Sequence, residues 1–246
     1  MLKVHSIETF GTHDGPGIRL VLFLQGCAFR CVYCHNPDTQ SCANDQGTPY
    51  STDQVLTLLE KQRSYFRNSG GLTVSGGEPT LQAGELITLF TAAKERGFHL
   101  ALDTSGGVWS RTVNQLYDLT DLVILDVKHI DDAWHRKITG TGNSNTLRNA
   151  DYRERSGKPL WLRYVLVPGW TDQPEYLEAW ARHFSGYKNL KRVEVIPYHT
   201  FGVHKYAAMG LRYPLHGVAP PTTEQVDRAV DIIARNLGDV PQLIAA

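Results

Sequence analysis

The 246-residue chain has no apolar run approaching the roughly 18 residues of a membrane span, and Met1 to Glu8 lack a continuous apolar segment of signal-peptide type. A cytoplasmic, soluble protein is expected. Charge excess is also missing: 25 Lys and Arg balance 25 Asp and Glu, so electrostatics give no reason to expect nucleic acid or a membrane as partner. No low-complexity linker or composition shift marks a boundary. The length suits one sizeable core, so a single domain over residues 1–246, acting as a monomer, is expected. Cysteine is scarce as well, with four in all, yet three of them, Cys27, Cys31 and Cys34, fall within eight residues as C-x3-C-x2-C.

Clustered cysteines without a secretion signal point to metal binding in a reducing compartment rather than to disulfides. A structural zinc site is closed and tetrahedral, and would need His35 or the distant Cys42 as its fourth ligand. A cubane iron–sulfur cluster has four irons, and three thiolates leave one of them open to a small molecule. That arrangement suits catalysis better than simple electron carriage. An open iron corner is also vulnerable to oxygen, which implies an anaerobic or microaerobic setting.

The rest of the chain alternates between apolar runs and helix-length segments. Residues 4–10 alternate like a strand and lead into Gly11-Thr12-His13-Asp14-Gly15-Pro16-Gly17-Ile18-Arg19, where glycines flank a proline and predict a tight turn with exposed backbone. Leu20–Leu24 is continuously apolar, as a strand buried on both faces would be, and the cysteine loop follows its end. Ser51 or Thr52 caps a helix through Gln62, and a second helix runs through Leu86–Ala93 toward a stop at Gly97. Counting from Leu20, six strands follow one another, with later starts at Leu72, Phe98, Leu122, Leu160 and Val193. Five of the six are followed by room for a helix before the next strand. The pattern predicts an α/β protein with a parallel sheet, a partial (β/α)6 TIM-like barrel with its chemistry at the C-terminal ends of the strands. Val226, Val230, Ile233 and Leu237 place one face of a final helix against the barrel wall.

Most polar clusters fall at those strand ends. Ser75-Gly76-Gly77-Glu78-Pro79 combines glycines that admit a ligand close to the backbone with an acceptor for an ammonium group, although such a loop can equally be only a turn. Asp103 and Asp126 each follow an apolar strand by one step, and a pair of carboxylates needs a cation or a shared proton; a salt bridge or helix cap is the plainer alternative. Thr104 adds a hydroxyl and Lys128 a charge partner. Arg163, between apolar neighbours, points into the barrel to meet a ligand carboxylate or to form a buried ion pair. His199, at the end of the sixth strand, faces a ligand or is structural.

The triad with Tyr33 before its last cysteine resembles the signature of the radical S-adenosylmethionine (radical SAM) enzymes. The segments Thr12–Arg19, Cys34–Thr39, Leu102–Gly106, Arg163–Asp172 and Pro197–His199 narrow that resemblance to the glycyl-radical enzyme activases. The resemblance implies a [4Fe-4S] cluster on Cys27, Cys31 and Cys34, with S-adenosyl-L-methionine chelated to its open iron. It places Tyr33, Cys34, His35, Gly76, Gly77, Glu78, Asp126, Val127, Lys128, Arg163, Val165 and His199 around the cofactor. Asp103, Thr104 and Asp126 would hold a monovalent cation, Na⁺ or K⁺, and Asp14 would meet the partner's glycine-bearing peptide. One electron from a flavodoxin or ferredoxin would cleave the cofactor, and the resulting 5′-deoxyadenosyl radical would take a hydrogen atom from a glycine of pyruvate formate-lyase. No ferredoxin-like insert with extra cysteine clusters is present, which favours the pyruvate formate-lyase type, and Pro79 departs from the small residue expected there. Two rivals remain: a radical SAM synthase acting on a small heterocycle, 7-carboxy-7-deazaguanine synthase-like, and a zinc-binding interaction module.

Overall fold

The computed structural model describes residues 1–43 and 47–245, which divide into two compact units, 1–28 with 39–124 and 29–38 with 125–246. The first unit opens with β1 (Leu2–Gly11) and β2 (Arg19–Leu24), an antiparallel pair in which Gly11 faces Arg19. β3 (Thr48–Tyr50) adds an antiparallel edge to β1. Then α1 (Thr52–Phe66), β4 (Gly71–Gly76), α2 (Ala83–Glu95), β5 (His99–Thr104) and α3 (Arg111–Leu119) alternate, followed by β6 (Leu122–Asp126), whose first three residues belong to this unit. The strand order is β3-β1-β2-β4-β5-β6.

Arg19–Leu24 of β2 runs parallel to Gly71–Gly76 of β4, residue for residue. Leu20, Val21, Leu22 and Leu24 are fully buried, as the unbroken apolar run requires of a strand covered on both faces. Ser51 caps α1 in a reciprocal capping box with Gln54, and Gly97 takes a left-handed conformation just past α2, so both expected boundaries are present. The pairs β2–β4 and β4–β5 run parallel, as expected of the strands counted from Leu20. The alternating segment at the start becomes β1 and pairs antiparallel with β2, because a short turn permits only that direction.

In the second unit, α4 (Asp132–Thr139) and α5 (Ser144–Arg155) fill one connection, so this crossover carries two helices rather than one. β7 (Leu160–Leu166), α6 (Pro174–Phe184), β8 (Leu190–Pro197), the short α7 (Val203–Ala208), α8 (Thr223–Leu237) and β9 (Leu243–Ala245) follow. β8 lies between β7 and β9 and is parallel to both, making β9 a strand that the periodicity did not announce. A Thr222–Gln225 capping box starts α8, which packs on α6, β8 and β9. Its buried face is Val226, Ala229, Ile233 and Leu237; Val230, expected in that stripe, is half-buried because Ala229 takes the inward position. Among the described residues no helix is long and apolar enough to cross a membrane.

Candidate active site

The polar loops of the first unit gather at the C-terminal ends of β2, β4 and β5. Past β2, Gly26 donates from its N–H to the Thr39 carbonyl at 2.7 Å, and Cys27 to the Gln40 carbonyl at 3.4 Å, pinning the start of the cysteine loop. Past β4 the backbone closes onto the same place. Gly77 donates to the Leu24 carbonyl at 2.9 Å and Glu78 to the Gly26 carbonyl at 2.7 Å. A Cβ on Gly77 would lie 2.1 Å from the Gly26 oxygen, and Gly76 has φ of +113°, so this loop needs both glycines for close backbone approach.

Glu78 is the centre of that loop and is 1% exposed. Its Oε1 accepts from the Thr80 N–H at 3.1 Å, the Thr80 hydroxyl at 2.5 Å and the Thr104 hydroxyl at 2.6 Å. Its Oε2 accepts from the Ser105 N–H at 2.9 Å and the Ser105 hydroxyl at 2.5 Å. The carboxylate therefore ties the end of β4 to the end of β5, where the sequence had offered it as an acceptor for an ammonium group. Pro79 is buried at the first position of the 3-10 turn capped by Glu78, which fits its fixed φ. Asp103 accepts from the Ser75 hydroxyl at 2.7 Å, and the Thr104 hydroxyl, besides donating to Glu78, accepts from the Gly106 N–H at 2.9 Å.

Asp14 lies elsewhere in this unit. The 12–18 turn joins β1 to the first residue of β2, so one strand length, roughly 20 Å for six residues at about 3.3 Å each, separates it from the Gly76-Gly77 loop. Nor is the turn uniformly exposed, as its glycines and proline had led us to expect: Gly15 is buried and the Asp14 carbonyl accepts from the Thr73 hydroxyl at 2.6 Å. Beneath it sits Arg19, fully buried, whose Nε donates to the Thr73 hydroxyl at 2.8 Å. Burial lowers the Arg19 pKa to about 10, against the attraction of Asp121 and Asp14. This inward-turned loop has no signal in the sequence beyond the arginine itself.

The second unit holds the rest of the cysteine loop. Arg30 donates from its N–H to the Thr139 carbonyl at 2.8 Å, Val32 to the Ile138 carbonyl at 2.9 Å, and Cys34 to the Cys31 carbonyl at 3.1 Å. Tyr33 is buried on an aromatic floor that includes Tyr198, Tyr206 and Tyr213, with Val165 packed beside it. The Tyr213 hydroxyl donates to that of Tyr198 at 2.9 Å, and Lys205 reaches Asn36 at 2.8 Å and Asp38 at 3.1 Å. None of these supports was evident from the sequence, because each partner lies far along the chain from the cysteines.

At the end of β6, Lys128 pairs with Oδ2 of Asp126, and its ammonium lies 5.4 Å from the centre of the Tyr33 ring. Burial opposes the lysine charge, but Asp126 and the surrounding groups outweigh it and raise its pKa well above the ordinary value. The Val127 N–H donates to the Arg163 carbonyl at 3.1 Å. Arg163 does form the ion pair that was one of its two readings: it faces Glu194 across β7 and β8, with Nε donating to Oε2 at 2.6 Å. His35 and His199 stack with ring centres 4.0 Å apart, and Nε2 of His35 is 3.0 Å from the His199 carbonyl. Burial lowers both imidazole pKa values.

Within the second unit, Cys31, Cys34 and the groups around them fit a cluster and its cofactor. None of the four cysteines is in a disulfide, and Cys27, Cys31 and Cys34 are each partly exposed. Among the described residues no three His, Cys, Asp or Glu side chains surround a common point as a single-ion cage. Nε2 of His35, which the sequence offered as a fourth zinc ligand, is engaged with the His199 carbonyl. Two buried oxygens, Oδ1 of Asp126 and the Tyr33 hydroxyl, have no hydrogen-bond partner among the described residues, as expected where a polar ligand belongs.

Comparison with known proteins agrees. Residues 21–181 match the model of the Radical SAM superfamily. The chain is 45% identical over 232 residues to the pyruvate formate-lyase-activating enzyme of Streptococcus mutans, covering 92% of this chain and 88% of that protein. It is 42% identical over 238 residues to that of Listeria monocytogenes, covering 94% and 95%. Among solved structures it resembles Streptococcus suis SuiB bound to S-adenosylmethionine, with a TM-score of 0.70, 14% identity, and coverage of 98% of this chain and 52% of that one. A radical SAM methyltransferase from Sphaerobacter thermophilus gives a TM-score of 0.65 at 18% identity, with coverage of 93% and 67%. These likenesses establish a radical SAM fold, and with it and the relatives' sequences the chain belongs to the pyruvate formate-lyase-activating enzymes of the radical SAM superfamily.

Proposed function

We propose that residues 1–246 work as one radical SAM domain that installs a glycyl radical on pyruvate formate-lyase. The observation that carries this reading is the C-x3-C-x2-C triad in a chain 45% identical over 92% of its length to an enzyme of that name. When bound, the [4Fe-4S] cluster and S-adenosyl-L-methionine supply a carbon radical able to take a hydrogen atom from a glycine. The chain's own residues bind, orient and exclude. Cys27, Cys31 and Cys34 hold the cluster, and Tyr33 on its aromatic floor keeps water from its flank. Gly76 and Gly77 admit the cofactor to the backbone. Glu78 acts one step removed, fixing the loop through Thr80, Thr104 and Ser105. In the second unit, Lys128, Val127, Val165, His35 and His199 would contact the cofactor, and Arg163 keeps β7 in register through Glu194. By the family resemblance Asp103, Thr104 and Asp126 would be ligands of a monovalent cation, and Asp126 keeps one buried oxygen without a hydrogen bond among the described residues.

Asp14, half-buried on the 12–18 turn, meets the partner's glycine loop. The electron comes from a flavodoxin or ferredoxin, and the enzyme acts as a cytoplasmic monomer. The test is electron paramagnetic resonance of a pyruvate formate-lyase incubated anaerobically with the reconstituted protein, reductant and S-adenosylmethionine. A glycyl doublet that vanishes in Cys31→Ala is the expected result. Accumulation of 5′-deoxyadenosine without that doublet would leave the radical chemistry standing and overturn the choice of partner.

A further inference from the structure

In the second unit the cysteine loop is fastened differently on the two sides of Tyr33. Before it, Arg30 and Val32 donate backbone hydrogen bonds to the carbonyls of Thr139 and Ile138 at the end of α4, at 2.8 and 2.9 Å. After it, the chain runs from Cys34 through His35 and Asn36 into a short 3-10 turn that begins at Pro37, where the backbone has no N–H to donate. Side chains and backbone from residues 199–205 meet the loop there. The His199 ring stacks on His35 at 4.0 Å, and a Cβ on Gly202 would sit 2.8 Å from the His35 Cα, so glycine is what lets the two chains come this close. Near the start of α7, the Lys205 ammonium donates to Oδ1 of Asn36 at 2.8 Å and lies 3.1 Å from Oδ2 of Asp38.

A lysine ammonium has three donors and no acceptor, and this one spans two acceptors on either side of Pro37. Side-chain exposures of 28% for Lys205 and 31% for Asp38 shelter the pair enough for it to hold against water. Asn36 and Asp38 follow Cys34 closely in the chain, so fixing them limits where the Cys34 arm can go. We propose that Lys205 is a positioning residue for the cluster, holding the segment after Cys34 so that the Cys34 thiolate stays where its iron is bound. This role rests on the activase reading above, in which Cys34 is a cluster ligand, and adds to it a residue supplied by α7. A thiolate on a loose arm moves off when it lets go of iron instead of re-binding, so iron is lost faster.

The experiment uses the anaerobically reconstituted full chain and a ferrous-iron chelator. Lys205→Met keeps an unbranched stem without the charge, and Lys205→Arg can still reach both acceptors. Iron release should be about fivefold faster from Lys205→Met than from the wild type, and near the wild-type rate from Lys205→Arg. The cluster-free protein separates a loosened arm from a weakened fold, with alkylation by iodoacetamide followed at each cysteine by mass spectrometry. Cys34 should react about fivefold faster in Lys205→Met, with Cys27 and Cys31 unchanged. Lys188→Met, at an exposed site of the same unit, should behave as the wild type. Asp38→Asn breaks the same ion pair from its other end and should give a smaller change of the same kind, which keeps the test alive if Lys205→Met folds poorly. Wild-type rates of iron release and Cys34 alkylation in Lys205→Met and Asp38→Asn, or equal acceleration at Cys31 and Cys34, would overturn the role of Lys205. A wild-type chain that took up zinc in place of about four irons and matching sulfide would instead count against the activase reading.

Discussion

Glu78 and Asp126 are both carboxylates at the end of an apolar strand, both nominated by sequence as ligands, and they are wired in opposite ways. Glu78 is saturated by the backbone and hydroxyl donors of Thr80, Thr104 and Ser105. Among the described residues Asp126 has one hydrogen-bond partner, Lys128, and keeps its other oxygen buried without one. A saturated carboxylate stabilises the fold and has little left for a ligand; an undersatisfied one costs free energy until a ligand arrives. Counting donors thus separates strut from ligand where position along the strand cannot.

The contrast can be broken first at the loop that Glu78 holds. Gly77→Ala would drive a methyl to 2.1 Å from the Gly26 carbonyl, with backbone on both sides and no flexible side chain to yield. A loss of about 3 kcal/mol is expected, read as a lower midpoint in urea for the protein without cofactor. A variant of unchanged stability would show that the loop is soft rather than a strut. Glu78→Gln comes next. It keeps the shape but turns an amide NH₂ toward donors, leaving at least one of Thr80, Thr104 or Ser105 unsatisfied at a cost of about 2 kcal/mol. Loss of S-adenosylmethionine affinity with unchanged stability would instead make Glu78 a ligand after all.

How much of this was legible follows the same division. Apolar runs, caps and strand-end glycines are local signals, so β2, β4, α1, α2 and the cysteine loop could be located from sequence. Ala229 standing in for Val230, and β9 pairing with β8, depend on packing that no local pattern encodes. At the site the residue types were readable, whereas their wiring was not. Arg163 and Glu194 are separated by a whole helix, and Glu78 and Ser105 by another, so their pairing required the register of the strands. The inward fold of the 12–18 turn was missed because glycine and proline specify a turn without saying what it covers.

Asp126 supplies a test of the other half of the comparison. If its open oxygen is a cation ligand, NaCl or KCl at ten times the dissociation constant should stabilise the reconstituted protein by about 1.4 kcal/mol relative to choline chloride at equal ionic strength. Asp126→Asn should abolish that increment. Equal melting temperatures in all three salts for the wild type would remove the cation from the site and leave Asp126 a simple partner of Lys128.

The smallest effect per group concerns the imidazoles. Burial lowers the pKa of His35, His99, His129, His135 and His199, and His129 and His135 are fully buried. Each folded-state pKa lies below the unfolded value of about 6.5. Between the two values the unfolded chain binds more protons than the folded one, so stability is fully present above about pH 6.5 and declines as pH falls through that value toward the folded pKa values. Urea midpoints taken from pH 8 down to pH 5.5 should be level and then drop, and His135→Gln should flatten the drop. A midpoint that rose on acidification would show that the buried histidines do not set the acid limb.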